Sequence, residues 1–135
     1  MGIELKKKGF NNLDGADFSQ AMLNLVPKNI YKNLYKIDLN KKIPIENDVY
    51  EGITCVGTFT FGHVSPPCLD EMIRVCKKRS HICFTINVGI YEEYGFDKKI
   101  KELEDKKSWK ILEFYKSNYI ASKNVNAWLV LAETI

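Results

Sequence analysis

Asp17 closes the short run Leu13-Asp14-Gly15-Ala16, which is small enough in its side chains to be a buried parallel strand. Ser19 stands two residues further on. There it would cap a helix carrying Ala21, Met22 and Leu25. An acid at the carboxyl tip of the second strand of a doubly wound sheet is the group that holds a nucleotide ribose. The usual companion of such an acid, a glycine-rich loop on the preceding strand, is almost absent, because few residues stand upstream. The expectation is a nucleotide-type binding fold whose first strand has been cut away.

Other reactive side chains are sparse. Cys55, Cys68, Cys76 and Cys83 are unevenly spaced and form no Cys-x-x-Cys pair, so a zinc site is not expected. They read as small buried hydrophobes with reduced thiols, in keeping with a cytoplasmic setting and no secretory signal. The 135 residues suffice for one domain with a real core. A hydrophobic share of 45% and a charged share of 27% are ordinary for a soluble globular protein. A net charge of +3 is too small to argue for nucleic acid. No apolar run approaches the ~18 residues of a membrane span. Met1-Gly2 resembles a myristoylation start, but Lys6 stands where Ser or Thr is wanted.

The elements that must position these groups follow from periodicity and punctuation. Met1 to Lys8 reads as a helix end, with Gly9 at C′. Strand Leu13–Ala16, helix Ser19–Leu25 and strand Leu34–Ile37 follow, the last closed by Asp38. Tyr50–Val56 is the next strand, and Gly57 to Pro67 a loop. Pro66-Pro67 opens a helix with Leu69, Met72, Ile73 and Cys76 inward. Lys77 to Ser80 form a turn, and His81–Val88 is a nearly continuous apolar strand. Helix Phe96–Lys106 precedes two long strands, Trp109–Tyr119 and Val125–Thr134, joined by a polar loop through Ser122 to Asn124. Strands alternating with helices imply a doubly wound parallel α/β sheet, and the last two strands an antiparallel hairpin that closes it.

That order resembles the class I S-adenosylmethionine-dependent methyltransferases. Leu13 to Ser19 with Met22 is similar to the family's second-strand motif, Asp38-Leu39 with Ile43-Pro44 to its third, and Tyr50 through Gly57 to its fourth strand. Leu69 to Val75 is similar to the helix before the fifth strand. Within the family, Gly57-Thr58-Phe59-Thr60, Gly62-His63-Val64, Pro67, Phe84-Thr85 and Tyr91 to Phe96 most resemble the methyltransferase-like proteins of the Williams–Beuren syndrome region. The likeness runs over almost the whole chain, 1–135, as one partial methyltransferase-like domain. Two departures stand out. The family's first strand and glycine loop are missing, with only Gly2 able to match the loop's last glycine. Lys77-Lys78-Arg79-Ser80 also replaces a Lys-Pro-Gly-Gly turn, a change expected to cost stability rather than chemistry.

The resemblance implies a Rossmann-like sheet lacking its first strand, with S-adenosylmethionine as cofactor. Gly2, Asp17, Phe18, Met22, Asp38, Leu39, Gly57 and Thr58 would bind it. Asp17 would accept from the ribose hydroxyls. Asp38 would accept from the adenine amino group, with the Leu39 amide nearby. Their bland counterparts are a helix-start acid, an exposed loop acid and a turn glycine. His63 would orient an acceptor or take its proton, unless it is simply exposed. His81 reads as structural. Phe59, Phe61, Tyr91, Tyr94 and Trp109 are candidates for an apolar acceptor pocket, Trp109 reading first as core. The expected activity is methyl transfer to a small molecule or a protein side chain. The alternatives are a truncated, inactive relative acting as a binding module, and a doubly wound domain binding another adenosine compound. A sheet without its first strand would also invite a second copy or a partner chain to complete it. No partner role is expected for nucleic acid or membrane.

Overall fold

A computed structural model of the chain describes residues 1–120, 122 and 125–135, with the backbone alone at 119 and 120. The chain divides into two compact units, Met1–Pro44 and Ile45–Ile135.

The first unit holds α1 (Gly2–Lys7), β1 (Asp14–Asp17), α2 (Gln20–Asn24) and β2 (Asn33–Lys36). Helix α1 ends as its sequence suggests. The Phe10 amide donates to the Leu5 carbonyl and the Gly9 amide to Lys6, with Gly9 at φ +94°. This paired closure needs a left-handed residue, and glycine takes that conformation without strain. Ser19 caps α2, its side chain accepting from the Met22 amide at 3.3 Å. Strands β1 and β2 are parallel, with Asp14 opposite Asn33 and Asp17 opposite Lys36. Both lie within a residue of their expected bounds.

The second unit holds β3 (Tyr50–Phe59), α3 (Cys68–Val75), β4 (Cys76–Asn87), α4 (Val88–Tyr91), α5 (Phe96–Asp105), β5 (Trp109–Ile120) and β6 (Val125–Thr134). Its sheet has the order β3-β4-β6-β5, with β3 parallel to β4 and both other pairs antiparallel. The expected parallel sheet closing on an antiparallel hairpin is therefore present. Residues 121, 123 and 124 of the expected polar loop lie outside the described residues.

Strand β4 lies between β3 and β6, and Ile82, Phe84 and Ile86 on it have no exposure. Phe84 meets Phe59 edge-on at 5.7 Å and stacks on Trp109 at 5.8 Å, while Phe59 touches Phe96 of α5 at 5.2 Å. The Lys99 ammonium of α5 reaches Asp70 of α3 at 2.7 Å and links the two helices. Leu69, Met72, Ile100 and Leu103 fill in beneath them.

Three expectations need correction. Strand β3 does not stop at Val56. Its ladder resumes after an irregularity and pairs Phe59 with Ile86. Val88 does not end the β4 strand but opens the short helix α4, because the Asn87 side chain caps it by accepting from the Gly89 amide at 2.8 Å. Phe59 is a core residue at 0% exposure and not a pocket wall, while Trp109, at 1%, is core as its first reading had it.

Lys77 to Ser80 are not a turn before the strand but the irregular first part of β4, where the register shifts between the Tyr50–Cys76 and Gly52–His81 pairs and Arg79 lies at φ +60°. A side chain there is strained by about 1–2 kcal/mol, which gives a physical reason for the expected stability cost of this tetrapeptide. Arg79→Gly is expected to raise the denaturant midpoint, by about 0.5–1 kcal/mol after the entropy glycine adds to the unfolded chain.

Candidate functional site

In the first unit the parallel pairing brings two acids to one edge. Asp17 ends β1, and its carbonyl accepts from the Ile37 amide at 3.0 Å. Asp38 thus follows β2 at the same carboxyl end. The Asp17 Oδ1 accepts from the Ser19 amide at 2.8 Å, which fixes the carboxylate at the start of α2. The Asp38 Oδ1 accepts from the Asn40 amide at 2.9 Å, and Lys41 stands 3.8 Å from Oδ2. Each acid therefore spends one oxygen on its own turn, the Asx-type bond that sets its direction. Phe18 and Met22 are 68% and 54% exposed. Two large apolar side chains bare to solvent beside an acid suit the face of an adenosine. Leu39 is half-buried.

Gly2 has a different setting. A Cβ on it would run into the Tyr31 ring and the Ile30 side chain. Its glycine serves close packing of α1 inside the first unit, which is one of the roles glycines play in a nucleotide-binding turn.

In the second unit, Gly57 lies near the carboxyl end of β3 at φ +79°. The Gly57 amide donates to the Thr85 hydroxyl of β4 at 3.0 Å, and the Thr60 amide to the Thr58 carbonyl at 3.0 Å. The left-handed Gly57 falls in the ladder irregularity between Cys55 and Phe59, so Thr58 lies in the last, irregular part of β3 and the segment through His63 follows it. Gly62 is also left-handed, at φ +75°, and its amide donates to the Tyr94 hydroxyl at 3.1 Å. Phe61 meets Tyr94 edge-on at 6.3 Å and is 56% exposed. His63 is exposed. Of the expected aromatic pocket, Phe61 and Tyr94 come together here, whereas Tyr91 joins Phe114 and Trp128 at 5.8 and 5.5 Å.

Thr85, Asn87 and Gly89 were not among the expected site residues. Asn87-Val88-Gly89 carries a usable signal, a capping asparagine followed by glycine. The partnership of Thr85 with Gly57 spans 28 residues and leaves no local trace.

The cysteines are poor nucleophiles. All four are free, and burial raises each thiol above its ordinary value, that of Cys76 to about 11. Among the described residues no group of three or more side chains is arranged to hold a metal ion, and no helix is long and apolar enough to cross a membrane.

No protein-family model matches the chain, and neither does any curated protein. Solved structures do. An S-adenosylmethionine-dependent methyltransferase from Methanosarcina mazei matches at TM-score 0.69 and 10% identity, over 100% of this chain and 87% of that one. The [4+2]-cyclase SpnF matches at TM-score 0.71 and 10% identity, over 98% and 70%. The N-methyltransferase NodS from Bradyrhizobium japonicum, in complex with S-adenosyl-L-homocysteine, matches at 0.66 and 10%, over 91% and 66%. The fold is the Rossmann-like methyltransferase fold. The cyclase among these neighbours illustrates why the fold alone does not decide the chemistry.

Proposed function

We propose that this chain is an S-adenosylmethionine-dependent methyltransferase acting on a small molecule or a protein side chain. The observation that carries the reading is the pair Asp17 and Asp38 at one carboxyl edge, with Phe18 and Met22 bare beside the first acid. A carboxylate fixed through one oxygen keeps the other for a ribose diol, and the exposed apolar surface suits the purine. The residues present therefore fit an adenosine group. In this reading Asp17 holds the ribose, Asp38 and the Leu39 amide the adenine edge, and Phe18 and Met22 cover its faces. Gly2 shapes the first unit from beneath. In the second unit Gly57 and Thr58 are cofactor contacts, and His63 orients the acceptor or takes its proton.

When bound, the cofactor supplies a methyl group already activated by its sulfonium. The protein's own task is then to align the acceptor and keep water out. An imidazole such as that of His63 can take one proton from an acceptor nitrogen or oxygen.

The finer likeness to the Williams–Beuren region proteins is part of the same proposal, as is a sheet lacking the family's first strand. Among the described residues β1 pairs only with β2, and β3 only with β4. A second copy or a partner strand would find backbone groups to pair with at either edge, and the mass in solution tests that. We place the protein in the cytoplasm.

Thermal unfolding with and without S-adenosylmethionine tests the reading. At a hundredfold excess over the dissociation constant, the wild-type chain should gain about 2.7 kcal/mol. Asp17→Asn keeps an oxygen for the Ser19 amide but removes the charge. It should weaken cofactor binding by about tenfold or more, the scale of a hydrogen bond to a charged group. A cooperative wild-type transition that does not move with ligand overturns the reading.

A further inference from the structure

The segment that carries His63 is tied by two devices to α4 and to the turn that follows it. The first is the hydrogen bond from the Gly62 amide to the Tyr94 hydroxyl, 3.1 Å long and spanning 32 residues. The second is steric. A Cβ on Gly89 would lie 2.6 Å from Cζ of Phe61 and 3.1 Å from the Asn87 carboxamide oxygen. Only glycine at position 89 lets the Phe61 ring rest against the first turn of α4. The ring is simultaneously met by the edge of Tyr94. Phe61 and Gly62 are thus held from both sides, although the segment itself has no regular structure and Gly62 is left-handed.

We propose that Tyr94 and Gly89 are positioning residues, which hold the Phe61–His63 segment where it meets the ligand. The proposal rests on the reading of that segment as part of the site. Neither residue touches the reacting atoms in this scheme; both act through the loop. More than half of the Phe61 ring surface stays open to solvent. A ring that were only a packing element would be buried like Phe59, so its open face is available to ligand and sets the size of what fits beside it.

Two variants separate this role from a structural one. Tyr94→Phe keeps the ring and its edge contact but removes the hydrogen bond. Gly89→Ala is favoured by helix propensity, so α4 itself should not suffer, yet the new methyl displaces Phe61. The probes are S-adenosyl-L-homocysteine, titrated calorimetrically, and hydrogen exchange at the Gly62 amide. For Tyr94→Phe we expect affinity to fall about fivefold, the scale of one neutral hydrogen bond, with faster exchange at Gly62 and an unchanged melting midpoint. For Gly89→Ala the loss should be larger, and Phe61→Ala in the same chain should remove most of it, because no ring is left to collide. If both variants bind and exchange like the wild type, the positioning role is overturned while the reading of the site stands. If exchange accelerates but affinity does not change, the latch is structural only and the proposal is likewise overturned. A wild-type chain that binds no S-adenosyl-L-homocysteine overturns the reading of the site, and this proposal with it.

Discussion

Phe84→Ala should destabilise the second unit by about 3–5 kcal/mol, the usual cost of emptying a buried aromatic site. The figure rests on where the ring lies. Phe84 is fully buried on the strand that pairs on both sides, opposite Cys55 of β3 and Val130 of β6. It touches Phe59 edge-on and Trp109 face-on, so its loss removes two aromatic contacts together with its own transfer free energy. The cavity left would be walled by strands, which relax less readily than helices packed by side chains alone. Against a typical total of about 5–15 kcal/mol, such a loss leaves little margin. Urea unfolding followed by tryptophan fluorescence measures it, since Trp109 stacks on the deleted ring. Phe84→Leu should cost less than Phe84→Ala, because it leaves a smaller cavity, although it too loses both ring contacts. A Phe84→Ala cost no greater than that would mean the core refills itself.

Thr134→Val is the second large effect, although it changes shape hardly at all. The Thr134 hydroxyl donates to the Lys77 carbonyl at 2.6 Å and accepts from the Ser80 amide at 2.9 Å. Both Thr134 and Ser80 are 3% exposed. The Ser80 hydroxyl in turn donates to the Tyr50 carbonyl at 3.0 Å. One hydroxyl thereby satisfies two backbone groups in the irregular first part of β4 and ties it to the end of β6. Valine fills the same space but orphans a buried amide and a carbonyl, at a cost of about 2–3 kcal/mol. Thr134→Ser keeps the hydroxyl and should lose less than about 1 kcal/mol. Equal losses for the two variants would assign the effect to the methyl group instead.

Much of this architecture can be read from local sequence. Ser19 caps where a serine before an amphipathic run should, and the two long strands after Ser108 carry enough β-branched and aromatic residues to be recognised. The acids were legible for the same reason: each ends a short strand and is followed by a turn. What escaped is set by partners far along the chain. Strand β3 continues past Gly57 because Thr85 takes the Gly57 amide, and a glycine at that point otherwise reads as the start of a loop. Val88 prolongs an apolar run, so a strand looks natural until Asn87 is seen to cap a helix. Phe59 sits among loop-like neighbours, and only its contacts with Phe84 and Phe96 show it to be core. In the candidate site, the residues that bear the charge were visible, and Tyr94 was named as a pocket wall, whereas its bond to the Gly62 amide and the place of Gly89 under Phe61 were not.

The position of β4 between β3 and β6 also dictates an order of folding. Strands β5 and β6 join through a short connection, so their hairpin closes at little entropic cost and on a microsecond timescale. Strand β4 cannot complete its second edge until that hairpin exists, and the Ser80–Thr134 tie spans 54 residues. On the ribosome β3, α3 and β4 emerge well before β6. The central strand β4 therefore waits with one row of backbone groups unpaired, and this interval is when the nascent chain is most exposed to aggregation and most dependent on chaperones.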